Sequence, residues 1–409
     1  MPLPLYFIAL ALFFTSLLFA DSHAAEPDAQ KPNIIFILAD DLGIDGLSCY
    51  GGDNFKTPEL DKLANNGVRF TNACTVPVCG PSRAQLITGQ YPFRSGAIEI
   101  DPTMKEASPE TCPSLPRVMK SAGYVTGMSG KWKQMRYEPN EWGFDEVLMS
   151  PTANGYYRAK SWLVNGKEVT VDDERYFPKV MNEFVLEFIE KHSSEPFFLY
   201  YPLTTPHTPI LPTPFTEPGE ENVHELYKDN IEYIDYVTGT VVDKLEELGI
   251  RENTVIIFSG DNGTLKSVQG TVNRKELIGG KVSMREGGSH VPLVVSWPAK
   301  IKNQKVCTDL VDFSDILPTL ADIGGAELPD DKGKLDGRSF LPQLLGKEGN
   351  PREWVFVQMG HYYYARNKDW RLDELGRLYD MSNAPHEEKL VVNENYAGAA
   401  EARKELNAV

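Results

Sequence analysis

Five short runs rich in β-branched and aromatic residues, 33–38, 124–128, 197–203, 255–258 and 291–297, constrain the fold of this chain most. Each has the length of a strand, and their nearly continuous apolar character suits strands buried on both faces. Helical patterns lie between them. Thr57 with Pro58 opens one helix and Gly67 closes it. Tyr227, Ile231, Ile234, Thr238, Val241, Leu245 and Leu248 trace one face of a longer helix that ends at Gly249, a pattern of core packing. Strands alternating with helices predict an α/β fold, a large mixed sheet covered by helices on both faces. The first four runs each lead into a polar cluster: Asp40-Asp41, Gly130-Lys131-Trp132, Pro206-His207 and Asp261-Asn262. In open α/β sheets, sites collect beyond the carboxyl ends of strands, so clusters far apart in sequence are expected to converge.

The two ends of the chain differ from this pattern. Positions 4–20 are nearly all apolar, Asp21 is the only acidic or basic side chain before Glu26 apart from His23, and Ser22-His23-Ala24 offers small residues near a cleavage point. Residues 1–25 are therefore read as a secretory signal peptide, with an uncleaved anchor as the alternative because the leader lacks Lys and Arg. No other segment is long and apolar enough to span a bilayer, so no stable membrane span is expected after cleavage. Past residue 347 the pattern changes to predicted strands at 354–358 and 362–365 and a terminal helix at 399–407. The division predicted is 1–25, 26–347 and 348–409. A formal charge of −17 argues against nucleic acid or an acidic membrane as partner. Any anion site must then be built locally from a few cations.

The stretch Cys79-Gly80-Pro81-Ser82-Arg83, running on to Leu86-Ile87-Thr88-Gly89, reads as a helix start and stop. Pro81 suits a first turn and Gly89 a left-handed end. Cys79 would then lie just before a helix N-terminus, where unpaired N–H groups and Arg83 favour an anion. The stretch resembles the signature of the sulfatase family, C-x-P-S-R followed by L-x-T-G. The resemblance runs from Asn33 to about Leu390 and includes 336–340 and 378–380. It implies an alkaline-phosphatase-like sheet with a small C-terminal α+β subdomain carrying an antiparallel sheet. It also implies that Cys79 is converted to formylglycine by a formylglycine-generating enzyme, and that the aldehyde hydrate attacks sulfate esters. Modification of Cys79 would leave Cys49, Cys74, Cys112 and Cys307, enough for up to two disulfides in an oxidising compartment or for four buried thiols.

Asp40, Asp41, Asp261 and Asn262 match the metal ligands of sulfatases. Three carboxylates and an amide oxygen suit a hard cation, Ca²⁺ by family precedent with Mg²⁺ second, whereas zinc would recruit His or Cys. The cation would polarise the sulfate and hold the hydrate in line. Arg83 would pair with the metal site and the hydrate. Lys131, and Lys281 ahead of Arg285-Glu286-Gly287-Gly288, resemble the lysines that clamp sulfate oxygens; one such donor is typically worth about 2.7–4 kcal/mol. His207 resembles the histidine near the leaving oxygen, where an imidazole can protonate an alkoxide. One position departs from the family. Two residues after Lys131, where most sulfatases have histidine, this chain has Lys133, which can supply charge but is a poor base unless its pKa is depressed.

The expected activity is sulfuric ester hydrolysis on a sulfated carbohydrate or aryl sulfate, in a secreted or periplasmic protein. Two alternatives stand beside it. A phosphonate or phosphate monoester hydrolase of the same superfamily would share metal and fold; a degenerate homologue would bind carbohydrate without turnover. Tyr156, Tyr157, Trp162, Tyr362 and Tyr363 are candidates for a sugar-stacking rim, or for packing.

Overall fold

The structure is a computed structural model that describes Met1 and residues 31–100, 107–132, 136–150, 152, 155–330, 333–393 and 395–409. The leader beyond Met1 and Lys133 lie outside the described residues.

Ten strands form one sheet: β1 Asn33–Ala39, β2 Val68–Cys74, β3 Val125–Gly130, β4 Glu146–Met149, β5 Arg158–Val164, β6 Lys167–Tyr176, β7 Phe197–Pro202, β8 Thr254–Gly260, and, after a separate hairpin of β9 Gln269–Val272 and β10 Lys275–Ile278, β11 His290–Ser296 and β12 Lys305–Asp312. Their order is β12-β2-β11-β8-β1-β7-β3-β4-β5-β6. The centre, β8-β1-β7-β3-β4, is parallel. Strand β11 pairs antiparallel with both its neighbours, and β4-β5-β6 is antiparallel, so the sheet is mixed. All five apolar runs form strands of it, with Tyr124, Leu203 and Trp297 left just outside the strand ends.

Burial follows the pleat. On β1, Ile35 and Ile37 enter the core on one face while Ile34, Phe36 and Leu38 enter the core on the other. The helices Pro58–Asn65, Phe177–Lys191 and Val223–Glu247 cover the first face through Leu60, Val185 and Ile234. Helices Cys79–Thr88, Leu115–Ser121 and Ile316–Gly324 cover the second through Leu86, Met119 and Leu320. The first helix starts where expected, but Thr57 does not cap it. Its hydroxyl accepts from the Ser48 amide (3.1 Å) and bonds the Ser48 hydroxyl (2.7 Å). The orphan amides of Glu59 and Leu60 are taken instead by the Asp235 carboxylate from the long helix (3.1 and 2.8 Å).

The C-terminal part forms a five-stranded antiparallel sheet, β13 Val355–Met359, β14 Tyr362–Arg366, β15 Trp370–Asp373, β16 Leu378–Asp380 and β17 Lys389–Leu390, in chain order. The helix Ala399–Leu406 packs on it through Ala399, Ala402 and Leu406. Cys49, Cys74, Cys112 and Cys307 are free, so neither of the disulfides allowed by the count is present among these four. Among the described residues no helix is long and apolar enough to cross a membrane.

Candidate active site

The register of the parallel pair β1 and β8 places Ala39 opposite Gly260, so Asp40-Asp41 and Asp261-Asn262 leave the sheet side by side. A backbone bond from the Asp261 amide to the Ala39 carbonyl (2.9 Å) extends the ladder by one step. The Asp41 amide then donates to Asp261 Oδ1 (3.0 Å), and Asn262 Nδ2 to Asp41 Oδ1 (2.9 Å). One carboxylate oxygen from each of Asp40, Asp41 and Asp261 lies within 4.8 Å of the others, and all four residues are fully buried. Asp40 Oδ1 and Asn262 Oδ1 accept no hydrogen bond although both are buried. Two orphaned oxygen acceptors beside two more carboxylates fit a hard, oxygen-loving cation.

Cations surround the cluster. Cys79 is the first residue of its helix, after Val78 in an extended conformation, so it lies one position further into the first turn than the sequence suggests. One turn on, Arg83 donates from Nε and Nη2 to Asp261 Oδ2 (2.9 and 2.7 Å), and its Nη2 lies 3.6 Å from Asp40 Oδ1. Lys131, just beyond β3, is buried and donates from Nζ to Asp40 Oδ2 (2.6 Å). Its glycine neighbour is required: Gly130 has φ 139°, and a β-carbon there would lie 1.9 Å from the Pro202 carbonyl oxygen. Lys281 Nζ lies 2.6 Å from the Asp41 carboxylate. His207 follows β7, and one of its ring nitrogens comes within 4.8 Å of Asp40 and of the Cys79 sulfur. The Tyr157 hydroxyl donates to the His207 carbonyl (3.0 Å), while the Tyr156 ring meets the imidazole edge-on at 5.7 Å and lies 5.4 Å from Lys131 Nζ.

These neighbours set the charge states. Burial would raise Asp40, but Lys131, His207, Arg83 and Lys281 outweigh it and hold its carboxyl well below the usual range. Asp41 and Asp261 are pushed up, first by burial and then by repulsion from Asp40. Burial works against the Lys131 ammonium, yet Asp40 holds the charge on and moves its pKa above the ordinary value. Burial lowers His207, with Lys131 adding to it against Asp40, which favours the neutral imidazole. Burial also raises Cys79, which keeps an unmodified thiol protonated. Three carboxylates face Arg83, Lys131 and Lys281. A divalent cation added to that balance leaves the pocket positive, which suits an anionic group.

Of the residues expected at the site, Asp40, Asp41, Asp261, Asn262, Cys79, Arg83, Lys131, His207 and Lys281 converge. The proposed aromatic rim divides: Tyr156, Tyr157 and Trp162 are buried, and Tyr362 and Tyr363 are exposed. Sequence reasoning missed Tyr227. Assigned to an apolar helix face, it donates its hydroxyl to the Asp41 carbonyl (3.1 Å). A phenol at the head of a mostly aliphatic row was the available signal. Asp45 and Thr264 were missed too: the Thr264 hydroxyl donates to Asp45 Oδ1 (2.6 Å) and accepts from the Gly43 amide (3.0 Å), bracing the turns that follow β1 and β8 against each other.

The family model described as Sulfatase matches residues 32–326. An N-acetylgalactosamine-6-O-sulfatase of Bacteroides thetaiotaomicron is 30% identical, with 93% of this chain and 94% of that protein covered. An N-acetylgalactosamine-6-sulfatase of Canis lupus familiaris is 32% identical, over 81% of this chain and 69% of that one. Among solved structures, that of Ps i-CgsB in complex with k-i-k-neocarrahexaose superposes with a TM-score of 0.81 at 27% identity, covering 93% of this chain and 92% of the other. With the match spanning well over half its length and the strand-end residues gathered into one pocket, this chain belongs to the sulfatase family and is a sulfuric ester hydrolase.

Proposed function

We propose that the pocket at the ends of β1, β3, β7 and β8 removes sulfate from a sulfated carbohydrate outside the cytoplasm, using Ca²⁺ and a formylglycine made from Cys79. The observation that carries this reading is the pair of buried acceptors that take no hydrogen bond, Asp40 Oδ1 and Asn262 Oδ1, in the pocket that also holds Cys79. Asp40, Asp41, Asp261 and Asn262 would hold the cation, which when bound polarises the ester. The hydrated aldehyde supplies a nucleophile that lies at a helix N-terminus, where anions are favoured. Arg83 orients Asp261 and keeps its own charge beside the nucleophile. Lys131 and Lys281 present point charges to sulfate oxygens, and each exchanges part of its carboxylate contact for substrate. His207 hydrogen-bonds the bridging oxygen, and the proton for the departing alcohol comes from the Lys281 ammonium or from His207 in its imidazolium form. Lys133 supplies a further charge in place of the usual histidine. We place the start of the C-terminal subdomain at residue 348.

Two relatives carry N-acetylgalactosamine 6-sulfate in their names, which makes that sugar the first substrate to assay. The test combines mass spectrometry of the Cys79 peptide, from protein made in a host with the maturation enzyme, with turnover of the sulfated sugar and of matched aryl sulfate and aryl phosphate. Formylglycine at Cys79 and a preference for sulfate are expected. Active protein with an unmodified thiol would overturn the mechanism, and a strong phosphate preference would overturn the substrate class.

A further inference from the structure

Lys281 sits on a loop with little of its own to hold it. Residues 279–288 contain four glycines, and the loop packs backbone against backbone on the metal-side turn. A β-carbon at Gly263 would lie 1.8 Å from the Gly287 oxygen, and one at Gly280 would lie 2.3 Å from the Gly287 carbonyl carbon. Gly263 donates to the Gly288 carbonyl (2.9 Å), Lys281 to the Thr264 carbonyl (3.1 Å) and Val282 to the Pro77 carbonyl (2.8 Å). The loop therefore touches both the metal ligands and the approach to Cys79. Val282, β-branched, has φ 59°, a left-handed conformation that persists only when surrounding structure imposes it.

The far side of the same loop is gripped by the C-terminal sheet. Arg366, at the end of β14, donates from Nη1 to both carboxylate oxygens of Glu286, and both side chains are buried. Arg371, on β15, donates to the Met284 carbonyl (2.7 Å) and lies 2.5 Å from Glu388, whose Oε1 accepts from the Glu286 amide (2.7 Å). The guanidinium of Arg371 is itself fixed, 4.2 Å from the centroid of the Tyr379 ring and 5.3 Å from that of Tyr364. Burying two arginines and Glu286, with Glu388 half-buried beside them, where an apolar contact would serve adhesion equally well points to a demand for geometry.

We propose that Arg366 and Arg371 are positioning residues for the reaction: through Glu286, Glu388 and the Met284 carbonyl, the C-terminal subdomain sets where the Lys281 ammonium lies. The proposal rests on the role given above to Lys281. It makes the subdomain part of the catalytic apparatus without any of these arginines touching the sulfate.

The test is a double-mutant cycle in the matured full-length enzyme, with 4-nitrophenyl sulfate as probe. Arg371→Lys keeps a charge for Glu388 but loses the planar fork that also reaches Met284, so kcat is expected to fall about tenfold with KM little changed. In a Lys281→Ala background the same substitution should change kcat by less than about twofold, because the group it positions is gone. Hydrogen exchange at the Lys281 and Val282 amides should speed up in Arg371→Lys while β8 stays protected. Glu388→Gln, half-buried and isosteric, should show the same non-additivity with a smaller loss, and it carries the test if Arg371→Lys does not fold. Losses that add in the Lys281→Ala background, or an Arg371→Lys enzyme with parental kcat and loop exchange, would overturn the positioning role. A Lys281→Ala enzyme with parental kcat would instead overturn the underlying role of Lys281.

Discussion

Asp41 carries a β-carbon yet holds φ 66°, a conformation that typically costs about 1–3 kcal/mol outside glycine. Its carbonyl is held by the Tyr227 hydroxyl and its amide by Asp261, so the turn is clamped at both ends. We expect Tyr227→Phe, which keeps the packed ring and removes one donor, to weaken Ca²⁺ binding about tenfold, or ~1.4 kcal/mol. Calorimetric titration of metal-stripped protein checks this, and an unchanged Kd would take Tyr227 out of the metal site. Lys133 is a separate question, posed by sequence alone. Lys133→Ala should lower kcat at least about tenfold, or ~1.4 kcal/mol; parental kinetics would leave the position without a role. The candidate ligands were legible because Asp-Asp and Asp-Asn follow strand runs and match the sulfatase pattern. Tyr227 was not, because nothing in a helical period tells which side-chain hydroxyl reaches across to a strand end.

At the scale of elements, the same limit shows at the Pro58–Asn65 helix. Its proline and its end were readable, but its cap came from another helix. Asp235, 4% exposed, accepts from two N-terminal amides, and burial pushes its carboxyl up to about 6 despite those bonds. A folded-state pKa above the unfolded value of 3.8 means that the folded protein binds the proton more tightly. Stability from this group is therefore greatest at low pH and is lost as pH rises from about 4 to about 6. In Asp235→Asn that slope should vanish, so the Tm difference between variant and parent should shift in favour of the variant across this window. Parallel Tm curves would show that Asp235 does not titrate there. Strand positions were more legible than caps because an apolar run is a local property. The strand of the second run begins at Val125 and not at Tyr124, whose hydroxyl bonds the Pro32 carbonyl (2.9 Å) outside the ladder.

For the whole molecule, an ion held by the proposed ligands would bind only a folded arrangement, since they come from positions 40–41 and 261–262. Saturation at about 100 times Kd contributes ~2.7 kcal/mol, and its loss also exposes three buried carboxylates to mutual repulsion. Chelation should therefore lower Tm by ~5 °C, with recovery on adding Ca²⁺. A Tm indifferent to chelator and calcium would argue against a resident cation in these residues. By itself the sequence determined the α/β class, the strand order along the chain, the signature around Cys79 and the oxygen-rich candidate residues at two strand ends, because each is a matter of local residue type and spacing. Only the tertiary structure decided the register that sets Asp40 beside Asp261, the tyrosine that braces Asp41, and the C-terminal arginines that hold the Lys281 loop. Those depend on how separate elements pack, and packing geometry is a property of the assembled chain that no single segment encodes.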